Sequence, residues 1–405
     1  MRVGHISDIH LGWNSYPGPT PSSRFIDISK ILDWTAKKLI DGKVDCVLIC
    51  GDAFKDAKIM VERAEKEIGA LLRFLRKLSG AGIETIVISG TPSHDCIAIY
   101  ELIKEMQIPN VLIYTQPTIK QIITCCTSSS YEEAYFACLP GLNRSALLTQ
   151  EEYKGLPPEQ VHRIMTDKIT QLCMGMAAQM PDDKLKILMA HMTYQGADTG
   201  FADLLMQHEP ILTREAVAGF DLVCLGHIHK PQIIDGKVFY SGPIERLSFN
   251  EQDIHPGFWI HETGKNEVTT TNPHGVYSRF IGTPARRYVT LDWEEPQVQA
   301  YLDGYDVIGE IDIQDSIVRL PYTCSEEVAK QVNRKQLEQA LYDAGAFYVS
   351  EIKSDIQRVD RARDTEVTES LGPVEALGKW CDNQGIDSEE SKELQAMTAA
   401  LLEVL

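Results

Sequence analysis

The order of apolar and polar positions divides the first two thirds of the chain into alternating strands and helices. Val3 and Ile6 belong to a short apolar opening that reads as a buried strand, followed by Asp8-Ile9-His10 and broken at Gly12. Residues 16–23 (YPGPTPSS) read as a loop from their Pro, Gly and Ser content. From 25 to 39 the apolar residues Ile28, Ile31, Leu32, Ala36 and Leu39 recur at helical spacing, and residues 45–50 (DCVLIC) form a buried strand ending in Gly51-Asp52. A second amphipathic helix is predicted over 58–78, and a third strand over 85–89 ends in residues 90–95 (GTPSHD). Strands over 111–114, 134–138, 185–190 and 221–225 and a long helix over about 157–180 continue the series. Such alternation predicts an α/β sandwich or doubly wound domain, with polar motifs at the carboxyl ends of strands, where these folds place ligands.

Past residue 260 the pattern changes. Residues 270–284 are polar, with Pro273, Gly275, Gly282 and Pro284, and read as a linker. A smaller α+β unit follows, with strands near 287–292 and 316–320, a helix over about 325–343 begun by Ser325-Glu326-Glu327, and a strand over 346–352. Two short helices come last. The first has Pro373 at its first position and Val374, Leu377 and Cys381 on one face; the second is capped by residues 387–390 (DSEE) and carries Leu394, Met397, Leu401 and Leu405. Each apolar stripe needs a partner, and the charged stretch 355–370 separates both helices from the preceding unit.

A length of 405 residues suggests two or three domains, and 43% hydrophobic with 24% charged residues is ordinary for a globular protein able to bury a full core. With no apolar run of 18 residues and no basic-then-apolar opening, the sequence gives no sign of a membrane span or secretory leader, and a cytoplasmic setting is expected. The ten cysteines are scattered, several in apolar runs (Cys46, Cys50, Cys224), and the close pair Cys125-Cys126 has no zinc-finger spacing; most are expected to be reduced, buried thiols. A net charge of −19 argues against coating nucleic acid with a general basic surface. It leaves room for an enzyme that meets phosphate through cations.

The candidate chemistry lies at five strand ends: Asp8 and His10, Asp52, Ser93-His94-Asp95, His191 in residues 189–193 (MAHMT), and His227 with His229 in residues 225–232 (LGHIHKPQ). In an extended chain residues two apart point to the same side, so Asp8 and His10 can converge on one cation. Singly, each motif has an ordinary explanation as a turn, a helix cap or a core-edge histidine. Together they point to metal. Carboxylates mixed with neutral imidazoles suit manganese, iron or zinc rather than calcium, and a shared carboxylate can bridge two ions about 4 Å apart.

These motifs resemble those of the calcineurin-like metallophosphoesterases (DxH, GD, GNHD, a lone H, GHxH). Within that superfamily the chain is similar to SbcD-type DNA exonuclease subunits, through residues 139–144 (LPGLNR), 190–197 (AHMTYQGA), 220–232 (FDLVCLGHIHKPQ) and 240–251 (YSGPIERLSFNE). The resemblance implies a four-layer αββα sandwich over residues 1–270, a capping domain over 285–355 and a helical partner-binding segment over 365–405. It implies two divalent ions, manganese above all: Asp8, His10 and His229 on one, His191 and His227 on the other, Asp52 bridging. His94 would protonate or stabilise the leaving oxygen, with Asp95 orienting its ring. The implied activity is metal-dependent cleavage of DNA, as exonuclease and as endonuclease at ends and hairpins. The implied partners are DNA, an SbcC-type SMC-like ATPase docked on the C-terminal helices, and a second copy of the chain, with the helix over 58–78 as candidate surface. ATP would be used by the partner, since no GxxxxGK[ST] loop occurs here.

Two positions depart from the family pattern. GNHD is replaced by residues 90–95 (GTPSHD), so the asparagine ligand is missing, and Ser93 or Thr91 is left to offer a neutral oxygen to a weaker second metal. Lys55 stands three residues after Asp52, where many relatives have histidine or aspartate near the substrate; it either contacts phosphate or is solvated. The alternatives are a phosphoesterase for small substrates, or a scaffold subunit whose nuclease site is impaired.

Overall fold

The computed structural model describes residues 1–13, 18–20, 22–57, 64–93, 95–127, 130–142, 147, 154–200, 209–264, 266, 268–269, 272–357 and 371–402. They fall into two units, Met1–Tyr322 with Val332–Lys353, and Thr323–Gln331 with Ser354–Leu405.

The first unit is built on two six-stranded sheets. Strands β1 (Arg2–Ile6), β2 (Cys46–Cys50), β3 (Glu84–Ile88) and β4 (Val111–Tyr114) run parallel. The second sheet uses β5 (Thr118–Thr127), β6 (Ser130–Leu139), β7 (Leu185–His191), β10 (Leu222–Gly226), β11 (Gln232–Ile234) and β12 (Val238–Tyr240), in the order β11-β12-β10-β7-β6-β5. A short ribbon, β8 (Thr193–Tyr194) with β9 (Ile211–Leu212), stands apart. Strands β13 (Gly257–Glu262) and β14 (Tyr277–Gly282) extend the first sheet antiparallel, giving β14-β13-β1-β2-β3-β4.

Strand alternation explains the layers. Val3, Cys46, Leu48, Cys50 and Ile86 face Phe136, Cys138, Ile187, Met189, Leu222 and Cys224 in a core between the sheets. The residues in between, Ile6, Val47, Ile49 and Val87, pack on the helices Ser23–Asp41, Glu65–Gly80 and Ile97–Glu105. On the other side Leu188, Ala190, Val223 and Leu225 pack under the helix Pro158–Ala178. The central strands are therefore apolar on both faces, which is why they read as continuous apolar runs. The α/β sandwich expected from the sequence is the fold observed.

A third sheet, β15 (Tyr288–Thr290), β16 (Ile317–Ser325) and β17 (Tyr348–Gln357), follows, with the helix Glu295–Leu302 started by a Glu294/Gln297 capping box. Arg286 ties its start to the helix Ser23–Asp41. The guanidinium donates from Nε and Nη2 to the two oxygens of Asp27 (2.9 Å each) and from Nη1 to Asp315 (2.5 Å), and lies 3.5 Å from the Phe347 ring centroid.

Several expectations are corrected. The helix expected over 58–78 is Glu65–Gly80, residues 58–63 lying outside the described ones. Its Ile68, Leu71, Phe74, Leu75 and Leu78 fill the unit's own core, so only its charged outer face is open to a second copy. The linker expected over 270–284 contains β14, an edge strand whose half-exposed residues gave no apolar signal. The single helix over 325–343 is two, Glu326–Ala329 and Arg334–Asp343, because the Asn333 side chain accepts from the Lys335 and Gln336 N–H groups (3.1 and 3.3 Å) and starts a new helix.

In the second unit the helices Pro373–Asn383 and Ser388–Leu402 pack on each other, burying Cys381 and Ser391, while Trp380, Met397, Leu401 and Leu402 stay exposed. The expected Leu405 and most of the charged stretch 355–370 lie outside the described residues. Among the described residues no helix is long and apolar enough to cross a membrane.

Candidate metal centre

The turns after β1, β2, β7 and β10 meet at one end of the sandwich. The first two are laced by their backbones, with Asp8 N–H donating to Gly51 O (3.1 Å) and His10 N–H to Asp52 O (3.0 Å). Asp8 and His10 converge, though not by strand alternation: β1 has ended at Ile6, and both residues adopt left-handed backbone (φ 52° and 48°). Asp52 (φ 47°) and His227 (φ 94°) do the same, so four of the candidate ligands sit where an L side chain costs about 1–3 kcal/mol each. The glycines beside them have no space for a side chain. A Cβ on Gly226 would lie 2.1 Å from Cys50 O, one on Gly51 2.3 Å from His191 Nδ1, and one on Gly90 1.8 Å from Asp52 Oδ1. Gly-Asp and Gly-His thus recur in the sequence because the turns touch at backbone distance.

Asp8, His10 and His229 bring their ligand atoms within 4.8 Å of one another, and so do Asp8, Asp52 and His191. The Asp52 carboxylate looks both ways: Oδ1 is 3.3 Å from His191 Nε2, and Oδ2 is 3.9 Å from His10 Nε2. His10 Nε2 and His229 Nε2 are 3.1 Å apart, and His229 Nε2 is 3.9 Å from Asp8 Oδ1. His227 stacks edge-on to His191 (ring centroids 5.2 Å apart), its Nε2 3.0 Å from Glu209 Oε2. Two of the rings are held from behind. His191 Nδ1–H donates to Cys50 O (2.8 Å) and His229 Nδ1–H to Glu251 Oε1 (2.7 Å), whose Oε2 accepts from Leu247 N–H (2.7 Å). The Asp8 carboxylate accepts from His227 N–H (3.1 and 3.2 Å) and the Ser7 hydroxyl.

These residues fit divalent cations. Nε2 of His191 and of His227 are buried without an aligned hydrogen bond, which is costly unless something else satisfies them. Protons stand where cations would. Burial lowers the His191 pKa, but the charge of Asp52 outweighs it and raises it to about 10. Burial likewise opposes protonation of His229, yet its bond to Glu251 raises it to about 9. His10, pushed down to about 4 mainly by burial, is neutral and accepts from His229. Asp52 is depressed well below the carboxylate range because His191 outweighs the effect of burial.

The turn of residues 90–95 contributes unevenly. Thr91 N–H donates to Asp52 Oδ1 (3.0 Å), Ser93 is exposed, and His94 lies outside the described residues. Asp95 is buried and its oxygens are taken: Oδ2 accepts from Gly90 N–H (2.8 Å) and Tyr100 O–H (2.5 Å), Oδ1 from Cys96 and Phe54 N–H (3.1 and 3.3 Å). Burial, then the charge of Asp52, raise it to about 7 against those donors. Asp95 is thus a brace for the turn. Lys55 is exposed, its Nζ 6.0 Å from the Trp13 ring centroid, and Trp13 is edge-on to His10 at 5.9 Å. Sequence reasoning assigned no role to Ser7, Tyr100, Glu209 or Glu251. Of these only Glu251 carried a signal, as the last residue of the 240–251 motif.

Comparison with known proteins bears on what this arrangement is. The calcineurin-like phosphoesterase family profile matches residues 1–231, more than half of the chain and all the ligand positions above. The chain belongs to the calcineurin-like phosphoesterases. Among curated members of this metal-using hydrolase family it is 26% identical over 260 residues to the SbcD component of the SbcCD nuclease of Escherichia coli K12, and equally to that of Escherichia coli O157:H7. Each match spans 62% of this chain and 62% of the relative, less than two thirds of the relative's length. Among solved structures, a dimetal phosphatase from Danio rerio aligns with 12% identity over 70% of this chain and 96% of its own, at a TM-score of 0.39.

Proposed function

We propose that this phosphoesterase is a two-metal DNA nuclease, the counterpart of the SbcD component in an SbcC–SbcD-like DNA end-processing complex. The observation that carries the reading is the joint one: a carboxylate–imidazole centre with Asp52 facing both sides of it, in a chain whose curated relatives are nuclease subunits. Asp8, His10 and His229 would hold one ion and His191 and His227 the other, with Asp52 shared, and manganese suits this donor set. Bound there, divalent ions would supply Lewis-acid polarisation of a phosphodiester and a water-derived nucleophile at neutral pH. The chain's own residues position and screen. Glu251 and the Cys50 carbonyl fix the tautomers of His229 and His191, Asp95 with Tyr100 braces the turn of residues 90–95, and His94 would act on the leaving oxygen. Ser93 or Thr91 stands where relatives have asparagine and makes the second ion the weaker one. Lys55, exposed beside Trp13, would meet a phosphate.

The exposed Trp380, Met397, Leu401 and Leu402 of the terminal helices support docking of an SMC-like ATPase partner, which would supply both ATP hydrolysis and the basic DNA track that a chain of charge −19 lacks. A homodimer completes the proposed assembly. The test is hydrolysis of linear and hairpin-ended duplex DNA with manganese, beside a chromogenic phosphodiester, for the parent chain, Asp52→Ala and His94→Ala. DNA cleavage lost in both variants is the expected result. Turnover of the small ester alone, even with an SMC-like partner and ATP, would favour the small-substrate enzyme, and turnover of neither with metal content near zero would identify a scaffold.

A further inference from the structure

A second group of ligand atoms lies away from the phosphoesterase centre, in the core between the sheets. His5 on β1, Cys224 on β10 and His261 on β13 all point into that layer, are 0–1% exposed, and bring one ligand atom each within 4.8 Å of the others. Their geometry follows the rule for metal-bound histidines, in which the nitrogen not used for the metal is anchored by a hydrogen bond. His5 Nε2 donates to the Leu225 carbonyl (3.0 Å), which leaves Nδ1 as a bare lone pair, buried and without a partner. His261 Nδ1 pairs with Ser278 Oγ (2.7 Å), leaving Nε2 directed at Cys224 Sγ, 3.7 Å away. A thiol–imidazole hydrogen bond alone would satisfy Cys224 and His261 and strand His5. One cation satisfies all three.

We propose that His5, Cys224 and His261 form a low-coordinate site for a monovalent thiophilic d¹⁰ cation, with Cu(I) the matching ion. A thiolate with two imidazoles selects a soft or borderline metal, and zinc in closed sites takes four ligands, whereas three converge here among the described residues. Charge decides further. Binding exchanges the Cys224 thiol proton for the ion; no electron moves, and with Cu⁺ the core stays neutral. Zn²⁺ would leave one uncompensated positive charge beside Phe239 and Trp259, whose rings flank His261. Since the ligands are sealed from solvent, the ion enters as the chain folds.

The test is anaerobic refolding of the full chain with Cu(I) buffered by bicinchoninate, followed by copper analysis and X-ray absorption, for the parent, Cys224→Ser and His261→Gln. One copper per chain with one sulfur and two nitrogen neighbours, and about tenfold or more weaker retention in each variant at unchanged circular dichroism, is the expected result. Copper seen only by sulfur or only by imidazole, retention unchanged in both variants, or no uptake would overturn the site. Zinc taken up by the same three ligands in preference to copper would overturn the charge argument and the assignment to a monovalent ion. None of these outcomes depends on DNA cleavage, so the site and the nuclease reading can fail separately.

Discussion

Glu251 touches no expected substrate atom, yet both its oxygens are spent on the centre, one on the His229 ring and one on the Leu247 amide that fixes the carboxylate itself. Glu251→Gln is expected to weaken manganese binding about 10- to 100-fold with the fold intact, read from the manganese dependence of phosphodiester hydrolysis. The protons on His191 and His229 lead to a second expectation. Both folded pKa values, about 10 and about 9, lie above the usual 6.5, so the stabilisation these protonated rings give the metal-free fold is complete below pH 6.5 and lost as pH rises through 9 and 10. Metal competes for the same lone pairs. Manganese binding at pH 7 should therefore release about two protons per chain and tighten with rising pH; calorimetry in buffers of different ionisation enthalpy measures this, and zero proton release would mean the rings are neutral beforehand. At this scale the candidate ligands were legible because each polar residue directly follows an apolar strand. Glu251 was missed because its work is done through a hydrogen bond to a residue distant in sequence, His229, which no spacing encodes.

Two-sided burial made most of the central strands legible, although β12 and β13, buried on both faces as well, were not anticipated. β1, β2, β3, β7 and β10 are apolar on both faces and were found to within a residue or two, whereas β14, half-exposed at a sheet edge, read as a linker, and Asn333 inside an otherwise helical stretch went unnoticed as a start signal. What the strand pattern could not show is how close the turns approach. Gly226→Ala would place a methyl group 2.1 Å from a β2 carbonyl that cannot move without shifting Gly51 and Asp52. The expected cost is about 3 kcal/mol, seen as a lowered urea midpoint, with metal content falling too because the β10 turn carries both His227 and His229. Gly236→Ala is the control, a turn glycine whose added Cβ meets nothing within 4 Å. Its φ of 71° limits that variant to backbone strain of about 1 kcal/mol, with the metals unaffected.

For the molecule as a whole, the third sheet meets the sandwich through the Phe249–Tyr288–Ile317 cluster and through the half-buried charge of Arg286. Arg286, with an 11% exposed side chain, satisfies Asp27, itself 7% exposed, and Asp315 together. Burial works against the guanidinium's charge, but Asp27 outweighs it and holds the pKa above its usual value. Arg286→Ala is expected to cost about 1–3 kcal/mol, because Asp27 keeps its bond to Arg24 Nη1 (3.3 Å), and Asp27→Asn to cost less in that background than in the parent; additive losses would show that the pair is not coupled. The sheet order carries a consequence for how the protein is made. β1 opens the chain but is flanked by β13, and Asp8 and His10 meet His229 only after 219 further residues have been added. At roughly 5–20 residues per second that is about 10–45 s during which a ribosome-bound chain displays half a centre and one unpaired strand edge. The first ion can be captured only once the chain has grown past its midpoint, and until β13 follows the edge of β1 is open to whatever extended chain it meets.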